Sequence, residues 1–128
     1  MRNTVVAHFM DGTLVKGYTD DFFPSRPTLH IAQEGGGEPV EVEIARLKAL
    51  FFVKSLEGNR DYEADQEAER AGLGRRIEVR FKDGETLIGY TSGYSAERDV
   101  FFVFPGDAKV NNERVLVVTA ATEEIRFA

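Results

Sequence analysis

Apolar and polar residues alternate along much of this chain with a period of two. In residues 77–82, Ile77, Val79 and Phe81 alternate with Glu78, Arg80 and Lys82. Successive side chains of an extended segment point to opposite faces, so this pattern predicts a half-buried β-strand. Residues 5–10 place Val5, Ala7 and Phe9 on the matching face, but their other face carries Val6, His8 and Met10. That side is more apolar than its later counterpart, which predicts that something covers it.

The pattern is written twice. Residues 5–32 align without a gap on residues 77–104, and Phe9/Phe81, Asp11/Asp83, Gly12/Gly84, Gly17/Gly89, Tyr18/Tyr90, Thr19/Thr91 and Arg26/Arg98 are identical. In each copy two apolar runs flank an Asp-Gly pair, at 4–10 and 13–18 and again at 77–82 and 85–90. Asp-Gly between such runs predicts a two-residue hairpin with a type I′ turn. Gly17 and Gly89 interrupt the second strand, where glycine predicts a bulge or a sharp bend. Polar loops at 23–27 and 95–99 lead to third strands at 28–32 and 100–104, and glycine-containing loops follow at 34–39 and 105–112. The tails, residues 40–53 set against 114–127, read as a strand, a short helical turn and a last strand.

This order predicts an all-β protein of two tandem five-stranded SH3-like or Sm-like small barrels related by internal duplication, residues 1–54 and 75–128. The connector, residues 55–74, is acidic and alanine-rich. Residues 62–71 suit a short helix ended by Gly72 with Asp61 as its cap, the alternative being a mobile acidic tether. A unit of about 50 residues buries too little surface to be comfortable alone, so the two are expected to pack on each other or on a second chain.

Charge and composition narrow the function. The net charge of −6 sits mainly in the connector, which holds two Lys/Arg against six Asp/Glu, while the flanking segments hold six against seven and eight against nine. Neither repeat has the basic footprint of general nucleic-acid binding. The chain has no cysteine, which excludes disulfides and thiolate chemistry. No run approaches the roughly 20 apolar residues of a membrane span, and the first residues lack a long apolar stretch. A soluble, cytoplasmic protein is the expectation.

A hydrophobic residue, any residue, Asp-Gly, four intervening residues and then glycine resembles the first motif of Sm-like proteins, carried by Phe9, Asp11, Gly12 and Gly17 and again by Phe81, Asp83, Gly84 and Gly89. The chain is also similar to an uncharacterised bacterial family of tandem Asp-Gly and Gly-Tyr-Thr repeats, some members of which accompany signalling proteins. The Sm resemblance implies ring assembly through strand edges and RNA held by loop residues. The second Sm motif, a basic residue followed by glycine between the last two strands, has no counterpart in ARLKA or TAATE, nor do the Asp and Asn of the uracil pocket. Arg75, Arg76 and Arg80 resemble the arginine motif of PilZ domains, whose companion Asp/Asn-x-Ser-x-x-Gly motif is missing.

Four residues are candidates for binding. Tyr18 and Tyr90 offer an apolar ring with a polar tip, suited to a base or a peptide; closure of the barrel mouth is the alternative. Arg26 and Arg98 sit in the loop before the third strand, where a guanidinium fork suits a carboxylate or phosphate; a salt bridge pinning the loop is the alternative. Asp20-Asp21 and Glu123-Glu124 read as solvated charge. His8 and His30, the only histidines, have no metal-ligand spacing, and no nucleophile elbow is present. No cofactor or metal is implied. The reading is a non-enzymatic interaction or scaffold module of a bacterial regulatory or signalling system, binding a protein partner or itself through strand edges and loops, with no membrane or DNA partner. An Sm-like RNA-binding protein is the alternative, requiring Tyr18, Tyr90, Arg26 and Arg98 to converge on one surface, and a small-ligand sensor comes third.

Overall fold

A computed structural model describes residues 2–58, 62, 63, 65, 68, 69 and 72–127. Its ten strands are β1 (Asn3–Phe9), β2 (Leu14–Thr19), β3 (Thr28–Gln33), β4 (Val40–Glu43), β5 (Leu47–Val53), β6 (Arg75–Phe81), β7 (Thr86–Thr91), β8 (Val100–Val103), β9 (Asn112–Val118) and β10 (Thr122–Phe127). Single 3-10 turns, Ile44–Arg46 and Thr119–Ala121, precede β5 and β10. The protein is all-β, and no helix among the described residues is long and apolar enough to cross a membrane.

The ten strands are not divided five and five between two sheets. They make an antiparallel seven-stranded sheet in the order β4-β3-β2-β1-β5-β9-β8 and a three-stranded sheet β10-β6-β7, bridged at Tyr90 and Phe104. The physical reason lies in β5 and β9. Apart from Lys48, Leu47–Val53 is apolar on both faces, as is most of Asn112–Val118, so each strand gains by burying both faces and satisfying both edges. They pair with Ala49 opposite Val117, Leu50 opposite Leu116 and Phe51 opposite Val115. Residues from both halves, Val5, Leu29 and Leu50 with Val79, Phe81 and Val117, then share one core.

The registers of the halves correspond. Val5 lies opposite Gly17 and Phe52, and Ile77 opposite Gly89 and Phe127, so the first three strands correspond at a shift of 72 and the last at 75. Likewise Leu29 pairs with Val42 and Phe101 with Val117. The tail alignment read from the sequence, 40–53 on 114–127, is therefore one residue short. A slip of one exchanges the faces of a strand, and the corrected shift sets buried Val42 against buried Val117.

Both hairpin turns also differ from the expected form. Phe9 N–H donates to Thr13 at 2.9 Å and Gly12 N–H to Phe9 at 3.1 Å, as Phe81 donates to Glu85 and Gly84 to Phe81. These are three-residue loops in which only Gly12 (φ 90°) and Gly84 (φ 94°) take positive φ, the type I turn with a glycine bulge rather than type I′. Asp11 and Asp83 instead accept N–H bonds from Thr13 and Glu85, an Asx turn. Gly17 and Gly89 mark a close crossing. A Cβ on Gly17 would lie 2.1 Å from the Ala32 carbonyl oxygen, and one on Gly89 2.5 Å from that of Phe104.

The apolar outer face of β1 is covered as expected for Val6, which is buried, and for His8, whose ring lies 4.3 Å from that of Phe51; Met10 stays exposed. None of the described connector residues is helical; residues 61, 64, 66, 67, 70 and 71, on which the expected helix also falls, lie outside the described residues.

Candidate functional site: a cleft between the two halves

Two loops in matching positions, one before β3 and one before β8, line a single open cleft of about 650 Å³. Each loop is shaped by its own backbone. Arg26 N–H donates to Phe23 and Arg98 N–H to Ser95, both at 3.0 Å, so each arginine closes the same kind of turn. The carbonyl of Pro27 then accepts from Ile44, and that of Asp99 from Thr119, both at 2.9 Å. These bonds tie each loop to the 3-10 turn of its own half and bring Ile44 and Val118 to the cleft.

The first loop is anchored on both halves. Asp21 accepts from His30 N–H at 2.9 Å and from the Thr19 hydroxyl at 3.0 Å, and its other oxygen lies 2.7 Å from His30 Nδ1. Burial works against the Asp21 carboxylate, but these donors outweigh it and hold its pKa below the usual value. The hydrogen bond to Asp21 raises that of His30, with Glu41, 3.5 Å from Nε2, adding to it. Phe22 next meets Phe52 of β5 edge-on at 5.1 Å and Phe102 of β8 at 6.3 Å. Arg114 covers these rings, 4.2 Å from Phe52 and 4.8 Å from Phe102.

Arg26 and Arg98 both line the cleft. The loop-pinning salt bridge considered for them is absent: among the described residues neither guanidinium has an ion-pair partner, and neither do Glu97 and Asp99 beside them. Arg26 lies 5.1 Å from the centre of the Phe23 ring, which is 52% exposed. A second depression of about 740 Å³ shares Pro24, Ser25, Glu97, Arg98, Asp99 and Val100 with the cleft and has Phe102, Phe104 and Leu116 in its lining. The cleft can therefore offer fork-shaped donors beside aromatic and aliphatic surface.

The tyrosines are elsewhere. Tyr18 lies under the Arg2 guanidinium at 3.8 Å, and Tyr90, bonded through its backbone to Phe104, lines a smaller pocket of about 240 Å³ with Tyr62 and Asp107. Thr19 and Thr91 are buried, the latter donating to the Phe102 carbonyl at 2.7 Å. Glu123 lies 3.6 Å from Arg80, Glu124 lies 2.7 Å from Arg126, and Arg75 covers Phe127 at 4.2 Å. No group of three or more His, Cys, Asp or Glu among the described residues is placed to hold a metal.

Two residues that sequence reasoning passed over join parts of the molecule. Lys48, buried at the β5 bulge, sets its ammonium 2.7 Å from Asp83 and 2.5 Å from Glu85 of the β6–β7 hairpin, with the Phe81 ring at 4.8 Å. Burial opposes its charge, but the two carboxylates outweigh that and raise its pKa. Burial lowers the pKa of neighbouring His8, and the Lys48 charge lowers it further. Asp107 accepts from the N–H groups of Asp65 and Lys109, both at 2.9 Å, and from the Tyr62 hydroxyl, which brings its pKa to about 2. A lysine amid alternating strand residues and an aspartate in a Pro-Gly loop carry no local signal of partners 35 to 45 residues away.

Fold and cleft together define an all-β protein with Arg26 and Arg98 in one cleft at the junction of two corresponding halves. The chain belongs to a family of unknown function (DUF6982), whose model matches residues 1–128. No curated protein and no solved structure matches it.

Proposed function

We propose that this chain is a non-enzymatic interaction module in which two tandem five-stranded Sm-like or SH3-like barrels, related by duplication and fused edge to edge, hold a protein partner in the cleft between them. The corresponding registers at shifts of 72 and 75 support the duplication. One observation carries the binding site: matching loops of the two halves bring Arg26 and Arg98, both without ion-pair partners among the described residues, to one cleft. The partner that fits is an extended peptide segment presenting a carboxylate beside an aromatic or aliphatic side chain, the carboxylate for the arginines and the apolar group for the surface around Phe102 and Leu116. Tyr18 and Tyr90 lie away from this cleft, so a peptide fits it better than RNA. A cytoplasmic regulatory or signalling protein is the setting that goes with this reading.

The test is selection of a random linear peptide library against the immobilised protein, followed by fluorescence anisotropy of the enriched peptides. Acidic peptides with an aromatic or aliphatic neighbour are the expected winners. A charge-assisted hydrogen bond contributes about 1.5–3 kcal/mol, so an Arg26→Ala/Arg98→Ala variant with unchanged circular dichroism should bind at least about tenfold more weakly. Equal binding by that variant, or no enrichment, removes the proposal. Saturable U-rich RNA binding that survives physiological salt and is lost in Tyr18→Ala/Tyr90→Ala would replace it with the RNA reading.

A further inference from the structure

We propose that the outer edges of β4 and β10 are sealed by charge, so that the edge pairing that joins β5 to β9 inside the chain is not repeated between chains and the protein is a finished monomeric unit. Among the described residues β4 pairs only with β3 and β10 only with β6, which leaves one edge of each unpaired. The registers make β10 the counterpart of β5, and β4 the counterpart of β9. A second copy is therefore offered a ready geometry, β10 of one chain against β4 of the next. Such a contact is head-to-tail and propagates into rings or filaments.

The residues at those edges oppose it. Transferring the β5–β9 register to the outer edges sets Glu124 opposite Val42, Ile125 opposite Glu41, Arg126 opposite Val40 and Phe127 opposite Pro39, where the internal seam has Ala49 opposite Val117, Leu50 opposite Leu116, Phe51 opposite Val115 and Phe52 opposite Arg114. Three apolar seam residues thus correspond to charged ones, and Glu43 corresponds to Val118. Pairing would bury each charge against an apolar neighbour and remove it from water. On the free edge each is already satisfied: Glu124 and Arg126 lie 2.7 Å apart, Glu43 lies 3.7 Å from Arg46, and Glu41 lies 3.5 Å from His30. Pro39 supplies no N–H, and β4 has four residues against seven in β9. A short strand, a proline and charged side chains on the edge are devices that keep sheet edges from joining.

Copying the seam onto the edges tests this. Glu41→Leu and Glu43→Val place the β9 residues on β4, and Glu124→Ala and Arg126→Phe place the β5 residues on β10; all four positions are exposed, so the fold tolerates the changes. By sedimentation velocity, wild type is expected to stay monomeric at every concentration, and the quadruple variant to form larger species as concentration rises. The β4 pair alone and the β10 pair alone should each be monomeric, and their mixture should give a one-to-one dimer. Wild-type oligomers, a folded quadruple variant that never associates, or self-association of either pair by itself overturns the proposal.

Discussion

At the scale of single residues, the molecule depends on a few charged groups that reach far along the chain. Lys48 carries the longest consequence, because its buried ammonium binds Asp83 and Glu85 across the junction. Breaking a buried pair leaves carboxylates without their counter-charge, but these two are half exposed and water relieves part of the cost. Lys48→Ala is expected to destabilise the protein by about 2 kcal/mol in urea unfolding. The histidines should act on stability in opposite directions with pH. His30 has a raised folded pKa, so its contribution is complete below the unfolded value near 6.5 and is lost as pH rises through the folded one. His8 has a lowered folded pKa, so its contribution is complete above the unfolded value near 6.5 and is lost as pH falls through the folded one. The stability difference between wild type and His30→Gln should therefore shrink from pH 5.5 to pH 8, and that between wild type and His8→Gln should grow.

Elements show where local chemistry is sufficient and where it is not. The alternation of Ile77, Val79 and Phe81 located β6 to within two residues at its start and one at its end, and the tail grammar located both 3-10 turns. Asp-Gly by itself does not fix the turn type, because it suits both kinds of hairpin loop and the choice rests on whether Phe9 or its neighbour closes the ladder. Gly17 and Gly89 were legible as special, while their reason, a carbonyl of the crossing strand, lies 15 residues further on. Gly17→Ala should destabilise by about 3 kcal/mol or more, since the obstacle is backbone that cannot rotate aside. Gly12→Ala, with open space and only an unfavourable φ to bear, should cost about 1 kcal/mol. Thermal unfolding of both variants separates close approach from turn geometry.

For the molecule as a whole, the β5–β9 seam makes the halves one folding unit. Leu50, Leu116 and Val117 are fully or almost fully buried in a core drawn from both. Unfolding should be a single transition, identical by far-ultraviolet circular dichroism and by tyrosine fluorescence. Residues 1–58 expressed alone would expose the β5 edge and its apolar outer face, and should be unfolded or aggregated until residues 72–128 are supplied. Two transitions, or a stable monomeric fragment, would mean that each half folds independently.

Sequence by itself determined the strands and their order along the chain, because alternation, Asp-Gly turns and glycine positions are local properties that the chain must satisfy wherever it folds. It also singled out Arg26 and Arg98. Tertiary structure alone decided that these arginines share a cleft while Tyr18 and Tyr90 do not, that Lys48 meets Asp83 and Glu85, and that β9 lies beside β5. Those outcomes depend on which strand edges meet, and an edge carries the same N–H and C=O groups whatever its sequence. The choice among edges comes from the combined burial of side chains on both strands, a quantity that no single segment contains.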